Sequence, residues 1–182
     1  MTLEVVTGPR AVDLMKREAD LAVRVGPSMR PQQQTLMARK LVTVGMGVYA
    51  ADSYVARHGE PRLDGRLDGH LVCTYGEELA GIPQAVWTQE NAPNARVVLR
   101  ANSMLVLARS IEAGVGVGML PCFLGDALTG VRGLHAAPLV PLDVWLVVHP
   151  DVARTARVRA AIDFLVEAMD LHGAALMGAR LR

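Results

Sequence analysis

Rings are scarce in this chain. Aromatic residues make up 4% of its 182 positions while hydrophobic residues make up 51%, so any core has to be built from Val, Leu, Ala and Met. Only two cysteines occur, Cys73 and Cys122, with no CxxC pair and no ladder of spacings. That excludes a disulfide framework and an ordinary zinc site, and both read as reduced core thiols. No run of about 18 uncharged apolar residues is present. The opening stretch, MTLEVVTGPRAVDLMKREAD, is charged throughout, so neither a membrane span nor an export signal is expected and the chain reads as cytoplasmic. An excess of one charge is also lacking: nineteen basic and eighteen acidic residues leave +1, and the arginines are scattered. A direct DNA- or RNA-binding surface is therefore not expected.

Catalytic signatures are missing too. There is no phosphate-loop GxxxxGK(S/T), no GxSxG and no HExxH. His58, His70, His135, His149 and His172 share no spacing, so none is assigned to catalysis or to a metal, and no cofactor is expected. Ser103 lacks the strained turn that would present a nucleophile. Gly114-Val115-Gly116-Val117-Gly118 follows a helix and leads into a strand, the reverse of the dinucleotide arrangement. Trp87 and Trp145 have no basic or aromatic company at nucleic-acid spacing and read as core or interface anchors.

What is present is an alternation of short β-type runs with helical ones, the pattern of helices packed on largely parallel sheets. Strands are expected at Leu3 to Thr7, Asp20 to Val25, Leu41 to Ala50, Leu71 to Tyr75, Ala85 to Gln89, Arg96 to Arg100, Val115 to Leu120 and Val144 to His149. After the first strand, Gly8 and Pro9 open a helix carrying Val12, Met15 and Ala19. A polar loop rich in Pro and Gln precedes the Leu41 strand, in which Gly45 and Gly47 leave one face bare. Asp52 is expected to cap a short helix that Gly59 ends, and a further short helix covers Phe123 to Leu128. Thr155 to Leu171 spaces Val158, Ala161, Ile162, Leu165, Val166 and Met169 as the inner stripe of an amphipathic helix. The tail from Gly173 is expected to fray.

The most informative stretch is NSMLVLARSIEAGVGVGMLP, Asn102 to Pro121: an apolar helix runs through a glycine ladder into a strand that ends at proline. Asn102 is placed to accept hydrogen bonds from the first free amides of the Ser103 to Ala113 helix. Those amides and the positive end of the helix dipole favour a carboxylate.

Five stretches, in order, resemble the effector-binding (substrate-binding) domain of LysR-type transcriptional regulators: KREADLAVRVG, VGMGVYAADSYVARHGEP, LDGHLV, ANSMLVLARSIEAGVGVGMLP and VWLVVHPDVARTARVRAAIDFL. The resemblance runs from Leu3 to about Met169. It implies an α/β fold of the two-lobed type 2 periplasmic-binding-protein kind, with two crossover strands and a small effector between the lobes. Residues 1–50 and 143–182 would form lobe I and residues 51–142 lobe II. Carried over by position, the ligand-binding candidates are Thr7 and Gly8, Gly26, Ala50, Asn102 and Ser103, with Met119 and Leu120 as apolar wall. The implied partners are a small organic acid or aromatic carboxylate, and a second copy meeting the first strand's side of lobe I with its Asn102 to Ala113 helix. DNA would be reached only through a separate helix-turn-helix domain. Measured against the family pattern, the winged helix-turn-helix and the first strand and helix of lobe I are absent, so an incomplete lobe I is expected. The alternatives are a stand-alone solute-binding protein, which needs an export signal, and a small cleft enzyme, which needs an acid, base and nucleophile cluster.

Overall fold

The computed structural model describes residues 2–8, 12–26, 35–64 and 66–178. Pro9 and the Pro- and Gln-rich loop at 27–34 lie outside them. In chain order the elements are β1 (Leu21–Val25), β2 (Met37–Ala51), α1 (Asp52–His58), β3 (Leu71–Tyr75), α2 (Pro83–Asn91), β4 (Arg96–Ala101) and α3 (Met104–Glu112). They continue with β5 (Gly118–Pro121), α4 (Cys122–Gly125), β6 (Val131–Gly133), β7 (Val140–Val148), α5 (Pro150–Ala153) and α6 (Ala156–Leu176). The chain divides into two units: Met1–Thr43 with Leu142–Gly173, and Val44–Pro141 with Ala174–Arg182.

In the first unit β1 pairs antiparallel with β7, from Leu21 opposite Val148 to Val25 opposite Val144, and β2 follows β7 in the sheet. Leu14, Ala22 and Val147 are buried together, with Val12, Ala19, Leu36, Ala38 and Trp145 packed around them. Asp143 joins β2 to β7 through Lys40, 2.6 Å away, and Thr43, whose hydroxyl donates at 2.9 Å. Along α6 the expected stripe faces inward: Val158 is buried and Ala161, Ile162, Leu165, Val166 and Met169 are half-buried, while Arg157, Arg159, Asp163 and Glu167 are exposed.

The second unit holds the larger core. The far half of β2 pairs antiparallel with β5 and with β6, and β3 pairs parallel with β4. Val117 ties the two sheets: its N–H donates to the Leu71 carbonyl and its carbonyl accepts from Cys73 N–H, both at 2.8 Å. Tyr49, Cys73, Tyr75, Ala85, Leu107, Ala108, Ile111 and Leu120 form the buried cluster. The α3 side of that cluster, Leu107, Ala108 and Ile111, follows the 3.6-residue period. Gly114, at φ +73°, stops the helix in a conformation that favours glycine, and its carbonyl accepts from Arg57 Nη2 at 2.6 Å.

Several expectations are corrected. Leu3 to Thr7 forms no strand; it is irregular and exposed, because no described neighbour pairs with its backbone. The described part of the helix after it, from Val12, is a series of turns with Arg17 at φ 57°, and Leu14 rather than Met15 is buried. Ala85 to Gln89 is helical within α2. Pro83 occupies the first turn, where its missing N–H costs nothing, Ala85 faces the core, and Thr88 Oγ1 bonds back to the Gln84 carbonyl at 2.9 Å. Asp52 is not a cap. Ala51 takes that position with extended backbone, while Asp52 lies in the first turn and accepts from Arg132 Nε at 2.6 Å. The strand expected from Val115 begins at Gly118, because Val115 and Gly116 form the exit from the helix. The tail does not fray at Gly173: α6 continues to Leu176, and Gly178 packs against Cys122.

Candidate functional site

Parallel strands β3 and β4 end side by side, and in α/β sheets the carboxyl ends of parallel strands are where ligands are received. Gly76 N–H donates to the Ala101 carbonyl at 3.1 Å, holding the two exit loops together. A depression of about 640 Å³ opens there, lined by Gly76, Glu77, Arg100, Ala101, Asn102 and Val106. Helix α3 starts at its edge. Ser103, not Asn102, is the cap residue: its backbone is extended (φ −114°, ψ 123°) and its carbonyl takes the first helical bond, from Leu107 N–H at 3.1 Å. No side chain bonds the first-turn amides at this cap. Asn102 stands one residue earlier, exposed on the rim, so its proposed hydrogen bonds to those amides are not made in this structure. The first-turn N–H groups and the positive end of the helix dipole are left open to an acceptor. Arg100 adds a cation to the rim, and Glu77 and Glu78 add two anions.

The other candidates are placed elsewhere. Ala50, Met119 and Leu120 are buried in β2 and β5. Thr7 and Gly8 lie in the exposed irregular segment. Gly26 is buried after β1, its N–H donating to the Asp143 carbonyl at 3.0 Å. These last three belong to the first unit, whereas Asn102 and Ser103 belong to the second. Arg100, Gly76 and Glu77 went unrecognised in the sequence, since only the parallel pairing of β3 with β4 brings them beside Asn102.

A second, smaller pocket of about 280 Å³ is bordered by Cys122, Asp126, His135, Pro138 and Gly178. Tyr49 hydroxyl donates to Asp126 Oδ1 at 2.9 Å, and His135 Nδ1 lies 3.2 Å from the Val48 carbonyl. A carbonyl can only accept, so Nδ1 carries the proton. Nε2 then faces the Cys122 thiol at 3.8 Å as acceptor. Burial pushes that thiol upward, and Cys122 is 1% exposed, so the pair holds a neutral thiol rather than a thiolate nucleophile. Burial likewise raises the Cys73 thiol to about 11. Both cysteines are free.

A third cluster surrounds Tyr54. Its hydroxyl accepts from Leu71 N–H at 2.8 Å and lies 3.2 Å from His70 Nδ1, while its ring stacks on His58 at 4.5 Å. Burial lowers the His70 pKa, with His58 a smaller contribution. Among the described residues no group of three or more His, Cys, Asp or Glu is arranged to hold a metal ion, and no helix is long and apolar enough to cross a membrane.

Comparison with known proteins agrees with this architecture. The family described as LysR substrate binding domain matches residues 1–170. The chain is 28% identical over 166 residues to the HTH-type transcriptional regulator DmlR of Escherichia coli (strain K12), covering 86% of this chain and 52% of that protein. It is 31% identical over 127 residues to the HTH-type transcriptional activator AaeR of the same organism, covering 66% of this chain and 39% of that one. Among solved structures, the regulatory domain of CrgA, a LysR-type transcriptional regulator from Neisseria meningitidis, superposes with a TM-score of 0.69 at 28% identity, over 85% of this chain and 78% of that chain. The chain thus spans about half the length, or less, of these full-length relatives. By sequence and by its two-lobed periplasmic-binding-like α/β fold, the chain belongs to the LysR substrate-binding domain family.

Proposed function

We propose that this chain is the effector-sensing part of a transcriptional regulator, and that it receives a small organic acid where β3, β4 and α3 converge. The observation that carries the reading is the uncapped N-terminus of α3, opening beside Arg100 and Asn102 on a depression of about 640 Å³. Free helix amides and a guanidinium favour a carboxylate. Glu77 and Glu78 on the same rim favour a ligand that also carries an amine or hydroxyl donor. Thr7, Gly8 and Gly26, which the resemblance also marks as ligand-binding, belong to the other unit. Met119 and Leu120 are buried in β5, and Leu120 shares a core cluster with Leu107 of α3.

The output is conformational rather than chemical. Among the described residues, Cys122 beside His135 is a neutral thiol on an imidazole, and Ser103 has no side-chain bond at the cap of α3. A ligand that binds one arrangement of a protein more tightly shifts its population. In a full regulator that shift would be passed to a helix-turn-helix domain such as the one the relatives' names record. A homodimer in which α3 meets a partner copy is part of this proposal; Met104, Leu105 and Val106 supply the exposed apolar surface.

Thermal-shift and calorimetric titration with a panel of small hydroxy, amino and aromatic carboxylic acids tests the reading. Stabilisation by at least one of them, weakened in Arg100→Ala, is expected. Binding of none at millimolar concentration, or binding indifferent to Arg100 and Asn102, would remove the site.

A further inference from the structure

The smaller pocket, of about 280 Å³, has no part in the effector reading. It lies within the second unit and shares no lining residue with the depression at α3. Segments far apart in sequence border it. Cys122 and Asp126 come from α4 and the residue after it, Gly133 from the end of β6, His135 to Pro138 from the loop beyond, and Gly178 from past the end of α6. Its size suits a small molecule rather than a stretch of peptide.

The strongest polar groups on its border are acceptors. His135 Nδ1 keeps its proton on the Val48 carbonyl, 3.2 Å away, so Nε2 offers a lone pair. The donor it faces is the Cys122 thiol at 3.8 Å, a weak one. Asp126 Oδ1 accepts from the Tyr49 hydroxyl at 2.9 Å. Its Oδ2 lies 3.9 Å from where a Cβ on Gly178 would stand, and the Cys122 sulfur lies 3.2 Å from the same point, so carboxylate and thiol face one small volume. Among the described residues no Lys, Arg or His forms an ion pair with Asp126. An anion would be repelled by that carboxylate, and a neutral molecule would leave its charge unmatched. For a metal ion, no group of three His, Cys, Asp or Glu among the described residues is suitably arranged. A single positive charge that carries its own N–H donors answers both acceptors at once.

We propose that this pocket binds a small primary amine, whose ammonium donates to Asp126 Oδ2 and His135 Nε2. An ammonium N–H is a stronger donor than a thiol and replaces the Cys122 S–H at Nε2. The occupant then ties α4, the loop after β6 and the end of α6 to one another, and stabilises the second unit. The proposal stands independently of the effector reading.

The test is thermal shift and calorimetric titration of the full chain with n-butylamine, ethanolamine and 1,4-diaminobutane, each compared with n-butanol and butyrate at equal ionic strength. A rise in melting temperature with at least one amine and with neither control is expected, since a ligand that binds only the folded chain stabilises it. Asp126→Asn keeps an acceptor for the Tyr49 hydroxyl while removing the charge, and should weaken the amine about tenfold or more. Arg100→Ala, in the other depression, should leave amine binding unchanged. Glu77 and Glu78 also carry carboxylates, so amide chemical shifts locate the amine without any variant. Changes at Gly133, His135 and Gly178 are expected. Changes confined to Gly76 to Asn102 would overturn the proposal. So would an affinity that a folded Asp126→Asn variant leaves unaltered, equal stabilisation by n-butanol, or no response to any of the three amines at millimolar concentration.

Discussion

The imidazole of His135 occupies the space that a side chain at position 47 would need: a Cβ on Gly47 would lie 1.9 Å from His135 Cε1. The face of β2 left bare by its glycines is thus filled from a loop nearly ninety residues later, and the loop is fastened to β2 on both sides. Leu134 N–H donates to the Val48 carbonyl and Leu139 N–H to the Met46 carbonyl, each at 2.8 Å.

Gly47→Ala should therefore destabilise the protein by about 1–3 kcal/mol or more, the usual cost of overpacking. His135→Ala alone should also destabilise, by leaving a cavity beside Tyr49, whose ring it meets edge-on at 5.3 Å. Because the two residues share one volume, urea denaturation of the double variant should show less loss than the sum of the singles. Additive losses would contradict the packing described.

The cap of α3 makes an unusual prediction for Asn102. Its side chain bonds no helix amide, so Asn102→Ala should change the unfolding free energy by less than about 0.5 kcal/mol. An ordinary cap deletion costs about 1 kcal/mol. If Asn102 touches the effector, the same variant loses affinity at unchanged stability, a separation that denaturation and titration of one preparation would reveal.

Tyr54 hydroxyl holds Leu71 N–H at the start of β3. Tyr54→Phe leaves that amide without a partner and should cost about 1–3 kcal/mol, read from the shift in urea midpoint.

The same cluster sets a pH dependence. The folded chain holds His70 below its ordinary value, mainly through burial, so the unfolded chain takes up a proton first as pH falls. The stabilisation is complete above about pH 6.5, the ordinary histidine value. It is lost on acidification from there down through the lower folded value. The urea midpoint of the wild type should decline across that window, and that of His70→Gln should decline less. An identical decline in both would place the titration elsewhere.

Thiol chemistry supplies a further check. Cys73 and Cys122 are 2% and 1% exposed, and burial raises both pKa values. Neither should react with a thiol-specific reagent in the native chain near neutral pH, and both should react on unfolding. Rapid native labelling of Cys122 would show that the packing of Gly178 against it opens readily.

Much of the architecture was legible in the sequence because period and punctuation agreed. Val42 to Ala50 alternates, α3 repeats every three to four residues up to a glycine, and the second half of β7, from Val144, is an apolar run after Asp143. From sequence alone Ala85 to Gln89 reads as a strand because an apolar run as short as Ala-Val-Trp suits either period. Pro83 in the first turn and the burial of Ala85 decided it. Leu3 to Thr7 has the composition of a strand, but a strand exists only with a neighbour, and none of the described elements supplies one. At the site, the helix terminus could be seen in the sequence within one residue. Arg100, Gly76 and Glu77 could not, because their approach depends on which strands lie parallel.

Strand β2 runs unbroken from Met37 to Ala51 while its residues change allegiance between Thr43 and Val44. Neither half of the protein is then a contiguous stretch of gene, and no cut in the coding sequence yields one of them intact. A tag, fluorophore or reporter inserted within those fifteen residues would injure both halves together, so a sensor built on this scaffold is better served by insertions at exposed positions such as Arg62 and Asp64.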